Sequence, residues 1–181
     1  MKPTDILTQE HVLIRLMLDN LSVAVHRMEL GGRPAREFFE KAIEFGQSFV
    51  HRYHHYKEEY VMFTRLAEKK QGALDQSVKA LRFDHERALN LLAEIGRSLP
   101  GYAAGGEQEA AIILGDLASY VAMLRRHIYQ EDHVLFPMVE RDLSEAEQAE
   151  LMKVFKQTTD EFGGHIFETF QQAVLDLRRF L

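Results

Sequence analysis

Three stretches of the chain place apolar residues every three or four positions. In residues 5–30 the stripe is Leu7, His11, Ile14, Leu18, Leu21 and Val25. In 73–98 it is Leu74, Val78, Leu81, His85, Ala88 and Leu92, and in 107–140 it is Leu117, Tyr120, Leu124, His127, Glu131 and Val134. That spacing puts each set on one side of an amphipathic helix. A fourth segment, 35–69, is less regular, but Ile43, Val50, His54, Glu58 and Val61 share a face. Strand signals are poor: Val and Ile do not alternate with polar residues, and no Asn-Gly hairpin occurs.

Gly and Pro separate these segments at "GGRP" (31–34) and "LPGYAAGG" (99–106), with weaker breaks at "KKQGA" (69–73) and "ERDLSEAE" (140–147). Four helices with short connections predict an all-α, up-down-up-down four-helix bundle over residues 1–140. Ser144 with Glu147 three residues on is a capping box for a fifth helix. Gly163-Gly164 interrupts that helix, and "HIFETFQQAVLDLRRF" resumes helical spacing. Residues 141–181 are therefore expected to form a C-terminal helix or helix pair packed on the bundle.

The stripes carry residues that do not belong in a core. His11, His85, His127 and Glu131 lie on apolar faces, and His54 and Glu58 do so by the weaker pattern of the second helix. A buried carboxylate must be paired, protonated or bound to a metal. Residues four apart face one centre, so His54 with Glu58, and His127 with Glu131, each form a pair of potential ligands. The segments also repeat. "HHYKEEYVMF" (54–63) overlies "HIYQEDHVLF" (127–136) at a shift of 73, and His11, with Glu10 before it, overlies His85 and Asp84 at a shift of 74. Each half thus offers one lone His and one His-x-x-x-Glu, the pseudo-twofold set that a dinuclear centre requires.

The donor types narrow the metal. A mixed His and carboxylate set without sulfur favours iron or manganese, with zinc next. Two iron ions are expected, and an oxo or hydroxo bridge, solvent or His55 could take the positions left open, His55 being either a ligand or an exposed neighbour of His54. Glu59 and Asp132 are read as supporting or surface residues, and Glu10 and Asp84 as groups that either hydrogen-bond around the ligands or solvate the helix. His51 is expected at the surface or behind the ligands. His26, His133 and His165 have no matching partner. Tyr56, Tyr129, Phe63 and Phe136 are expected as core around the site.

Composition limits the function. The 181 residues are 46% hydrophobic and 28% charged, ordinary for one globular domain. There is no cysteine, which removes disulfides, thiolate sites and thiol catalysis. A net charge of −6 argues against nucleic acid as a partner. No run approaches the roughly 20 apolar residues of a membrane span, and no signal peptide is expected after Lys2. The cytoplasm is the expected location.

The pattern His11 … His54-x-x-x-Glu58 … His85 … His127-x-x-x-Glu131 resembles the hemerythrin-like, or HHE cation-binding, family, as do the blocks "HHYKEE" and "HIYQEDHVLFP". The resemblance covers roughly residues 5–140. It implies a four-helix bundle around a non-heme diiron centre that binds or reacts with oxygen, peroxide or nitric oxide. It also leaves open oxygen, redox or iron sensing through a partner, and oxygen or iron storage. A homodimer is compatible with it. Oxygen carriers of the family place two histidines one turn apart on the third helix, whereas here Leu81 and Leu89 flank His85. This departure loses the carriers' asymmetric ligation. It implies weak peroxide- or nitric-oxide-consuming activity, or sensing, rather than reversible oxygen storage. Carriers step five residues from His to Asp on the fourth helix, which selects Asp132, whereas the internal repeat and the shared stripe select Glu131, the preferred reading. A ferritin-like ferroxidase is disfavoured because no histidine has Glu three residues before it. A metal-free adaptor would leave the buried carboxylates unexplained.

Overall fold

The computed structural model describes residues 1–69 and 75–181. The weak break at 70–73 and Leu74 of the third stripe lie outside the described residues. Among the described residues there are six helices and no strand. Helix α1 is Pro3–Glu29. Helix α2 spans residues 36–69, helix α3 is Asp75–Ala103, and helix α4 spans residues 107–142. Helix α5 is Glu145–Glu161, and helix α6 is Ile166–Asp176, ending in the 3₁₀ turn Leu177–Phe180. The first four pack in a ring, α1 on α2, α2 on α3, α3 on α4 and α4 on α1, as the short connections predict.

The irregularity of the second segment has a structural cause. Helix α2 is α-helical at Arg36–Glu44 and Phe63–Lys69 but π-helical at Phe45–His55 and Lys57–Met62. A π turn closes i→i+5 and is wider than an α turn. Two neighbouring positions then face inward at each turn. The buried residues accordingly include a doublet every four positions, Phe45-Gly46, Phe49-Val50, Tyr53-His54, Lys57-Glu58 and Val61-Met62, with His55 and Phe63 extending two of them. Helix α4 has a matching π turn at Glu131–Leu135. It rotates the helix so that Leu135 is buried and Val134, expected on the stripe, is 58% exposed.

The third helix does not stop before Pro100, as the sequence suggested, but continues to Ala103. Proline removes one backbone donor there. Tertiary anchoring overrides that local cost: the buried Tyr102 donates its hydroxyl to the carbonyl of Pro34 at 2.8 Å, and Arg33 stacks on its ring. Helix α5 starts at the expected capping box, where Ser144 Oγ accepts from the Glu147 backbone and Glu147 accepts from the Ser144 backbone. Gly163 and Gly164 end it with φ of +90 and +76.

The core forms two apolar clusters. One runs from Leu13 through Phe45, Phe49, Ile95 and Leu124 and is closed by Ile166, Val174 and Leu177 of the C-terminal segment. The other gathers Leu7, Met62, Phe63, Leu81, Phe136 and Val139 and is closed by Leu151 and Phe155. Burying each such aromatic or aliphatic side chain contributes about 1.5–3 kcal/mol. The polar residues of the stripes fall at the junction of the two clusters along every helix of the bundle.

Candidate metal centre

Seven buried side chains meet at that junction. His55, Glu58, His85 and His127 form one group whose donor atoms lie within 4.8 Å of one another, and His11, His54, Glu58 and Glu131 form a second. All seven sequence-predicted ligands are therefore brought together, and Glu58 belongs to both groups. Its Oε1 lies 3.3 Å from His54 Nε2 and 3.8 Å from His11 Nε2, while its Oε2 lies 3.7 Å from His85 Nε2. Glu131 spans the groups in the same way, with Oε1 3.1 Å from His127 Nε2 and Oε2 3.4 Å from His11 Nε2. Nε2 of His85 and Nε2 of His127 face each other at 3.0 Å.

The arrangement leaves buried donors and acceptors without protein partners. Both oxygens of Glu58, both oxygens of Glu131, Nε2 of His11 and Nδ1 of His55 are buried with no hydrogen bond. An unsatisfied buried carboxylate is costly, and eight unpaired lone-pair sites on two acids exceed what the neighbouring imidazoles supply. Cations at the two groups would satisfy them together. The residues present fit a pair of metal ions.

The electrostatics agree. Burial opposes protonation of His54 and His127, but Glu58 and Glu10 push the first up to about 9, and Glu131 and Asp84 push the second up to about 10. In the metal-free protein, protons thus take the place of cations. Burial would raise the Glu131 carboxyl, yet His127 and His11 hold it well below the usual range. His55 is the exception. Burial, then the surrounding imidazoles, push it far down, so it stays neutral, and its buried Nδ1 has no hydrogen-bond partner.

A ring of carboxylates stands behind the imidazoles. Nδ1–H of His54 on α2 donates to Glu10 of α1 at 2.9 Å, and Nδ1–H of His85 on α3 donates to Glu59 of α2 at 2.5 Å. Nδ1 of His127 on α4 faces Asp84 of α3 at 3.7 Å, and Nδ1–H of His11 on α1 donates to Asp132 of α4 at 2.8 Å. Each helix contributes one histidine and one carboxylate, and the four contacts close a circle. The three hydrogen bonds fix the tautomer in which Nε2 carries the lone pair, and His127 Nδ1 has no hydrogen-bond partner. Each carboxylate meets a cation in turn: Glu10 the ammonium of Lys57, Glu59 the guanidinium of Arg82, Asp84 that of Arg126 and Asp132 that of Arg15. Glu59 and Asp132, adjacent to the inward acids, thus support the site from outside.

Several expectations change. Phe136 stacks on His11 at 5.3 Å and Phe63 on His85 at 6.4 Å, so both line the site as expected. Tyr56 and Tyr129 do not: they are 41% and 60% exposed, since each lies two positions past an inward histidine, His54 or His127, on the opposite side of its helix. The third helix offers only His85, and with His55 one group holds three imidazoles and the other two. Lys57 was missed altogether. It is fully buried, and its position in the four-residue doublet pattern of α2 was the available signal. His51 is half-buried and its Nδ1 has no partner. It lines a cavity of about 230 Å³ with Arg52, His55, Tyr56, Glu59 and Tyr60, and so sits where the surface reaches His55. His26, His133 and His165 are exposed.

A family model described as the hemerythrin HHE cation binding domain matches residues 2–139. Proteins of Mycobacterium bovis and of two strains of Mycobacterium tuberculosis, all described as uncharacterized, are 23% identical over 180 residues, covering 99% of this chain and 69% of theirs. No solved structure matches the chain. No described helix is long and apolar enough to cross a membrane.

Proposed function

The chain belongs to the hemerythrin HHE cation-binding family, and on that premise we propose that Glu58 and Glu131, with the five buried histidines, would hold two iron ions, and that the protein consumes a small oxidant, peroxide or nitric oxide. The observation that carries the reading is the set of four buried, unpartnered carboxylate oxygens facing five imidazoles. His11 and His54 would hold one ion, and His55, His85 and His127 the other. The nitrogen and oxygen donors, with no sulfur, favour iron, with manganese and zinc as the competing ions. Bound iron supplies exchangeable electrons and ligand positions that the protein leaves open.

The residues of the chain do the rest. The outer carboxylates hold His11, His54 and His85 by hydrogen bonds in one orientation and tautomer, which would preset their donors for the ions. Phe63, Phe136 and the two apolar clusters exclude bulk water from the donors, which strengthens every interaction there. The cavity beside His51, about 230 Å³ and lined by His55, has room for a diatomic or peroxide next to the buried donors. His51, which lines that cavity, would supply an imidazole to hydrogen-bond an incoming ligand.

The test is anaerobic loading with ferrous iron followed by addition of peroxide or nitric oxide. The reading predicts iron-dependent loss of the oxidant together with charge-transfer absorption from the oxidised pair. Reversible uptake of oxygen with no consumption of either oxidant would instead identify a carrier or store.

A further inference from the structure

Lys57 is the buried titratable group that the proposed chemistry does not use. It is fully buried, and so is its partner Glu10, at 2% exposure. Its ammonium binds Glu10, which accepts the Nδ1–H of His54. The other three outer carboxylates are held differently. Their cations, Arg15, Arg82 and Arg126, reach in from solvent with side chains 41%, 44% and 63% exposed. The internal repeat breaks at the same point, since the position 73 residues after Lys57 is the exposed Gln130.

A buried ammonium is tolerated only when paired and enclosed by groups that replace its water. Here the enclosure is shared between α2 and a helix outside the bundle. The Lys57 Nζ lies 3.6 Å from the centre of the Tyr53 ring and 5.7 Å from that of Phe155 on α5. Aromatic faces at such distances attract a cation. The same helix fixes the other wall, because the Tyr53 hydroxyl is bonded to Thr159 Oγ1 at 2.9 Å. Phe155 and Thr159 lie beyond residue 139, where the family match ends.

We propose that Lys57 is a positioning residue that locks His54 through Glu10, and that α5, by closing an aromatic cage over Lys57, is a working part of the metal centre. An arginine at the surface can leave its carboxylate and be rehydrated. Lys57 cannot, so the His54 side of the centre is held rigidly while the other imidazoles are held by exchangeable contacts. Any partner or modification that displaces α5 would then act on His54 first. The proposal rests on the dinuclear reading for its importance, but not for its geometry.

The experiment follows exchange of the imidazole Nδ1–H protons with solvent by nitrogen-15 NMR in the full chain loaded with zinc. His54 should exchange slowly in the wild type. Lys57→Met should accelerate that exchange by about tenfold or more, with His85 and His127 unaffected. Lys57→Arg should recover part of the protection, and Phe155→Ala should give a smaller acceleration confined to His54. An unchanged His54 signal in Lys57→Met or Phe155→Ala would overturn the proposal, as would equal acceleration at all four histidines, which signals general loosening. Should Lys57→Met fail to fold, Phe155→Ala decides by the same criterion. A wild-type chain that takes up no zinc pair would count against the dinuclear reading, and the same exchange comparison in the metal-free protein would still decide this one.

Discussion

Nδ1–H of His11 donates to Oδ1 of Asp132 at 2.8 Å, tying the first helix of the bundle to the fourth. It is one link of a circle in which every helix lends an imidazole to one neighbour and a carboxylate to another. The links orient the donors without touching the metal. Asp132→Asn should therefore leave the fold intact and weaken metal binding by about 10–100-fold. Competition against a chelator of known affinity measures it, and unchanged affinity would mean that the circle is only structural.

Protons and cations compete for the same buried groups. His54 and His127, raised to about 9 and about 10 from an ordinary 6.5, stabilise the metal-free fold fully below pH 6.5 and lose that contribution as pH rises through those values. Glu131, depressed by His127 and His11 against burial, works oppositely: its contribution is present above the ordinary carboxylate range and is lost in acid. The melting temperature of the metal-free protein should fall between pH 7 and pH 10. The loaded protein should not show that fall, since metal replaces the protons. Metal uptake near neutral pH should release protons, measurable in a weakly buffered titration.

The cavity beside His51 gives a kinetic prediction. His51→Trp fills it without touching Glu58 or Glu131. Binding of azide to the oxidised, iron-loaded protein should slow by about tenfold, with little change in the final spectrum. An unchanged rate would place the route elsewhere.

Much of this was legible in the sequence, and the misses share a cause. A 3.6-residue period located α1, α3 and α4, and the repeat at 73 and 74 residues paired the histidines before any geometry was known. The helix α2 defied that period because π turns bury doublets every four residues, which hid Lys57. The end of α3 was misplaced because Pro100 is a local signal, whereas the anchoring of Tyr102 by Pro34 and Arg33 is a contact across the fold. The circle of carboxylates was half visible. Glu10, Asp84, Glu59 and Asp132 each adjoin a predicted ligand, but which histidine each one serves depends on neighbouring helices.

Gly46 tests the packing that supports the π-helical stretch. A Cβ there would lie 2.4 Å from a methyl of the buried Leu92 and 3.1 Å from the Tyr120 hydroxyl. Overpacking of this kind costs about 1–3 kcal/mol, offset by about 1 kcal/mol of helix propensity. Gly46→Ala should lower the melting temperature, and a stabilised variant would show that α2 can shift to make room.

The central claim is that two cations neutralise the acids turned inward by the bundle. Titration of the metal-free protein with ferrous iron, under exclusion of oxygen, tests it most directly. The account predicts tight binding that saturates at two ions per chain, and loss of both in Glu58→Ala, because Glu58 belongs to both groups. Saturation at one ion, or full retention of two by Glu58→Ala, would contradict it.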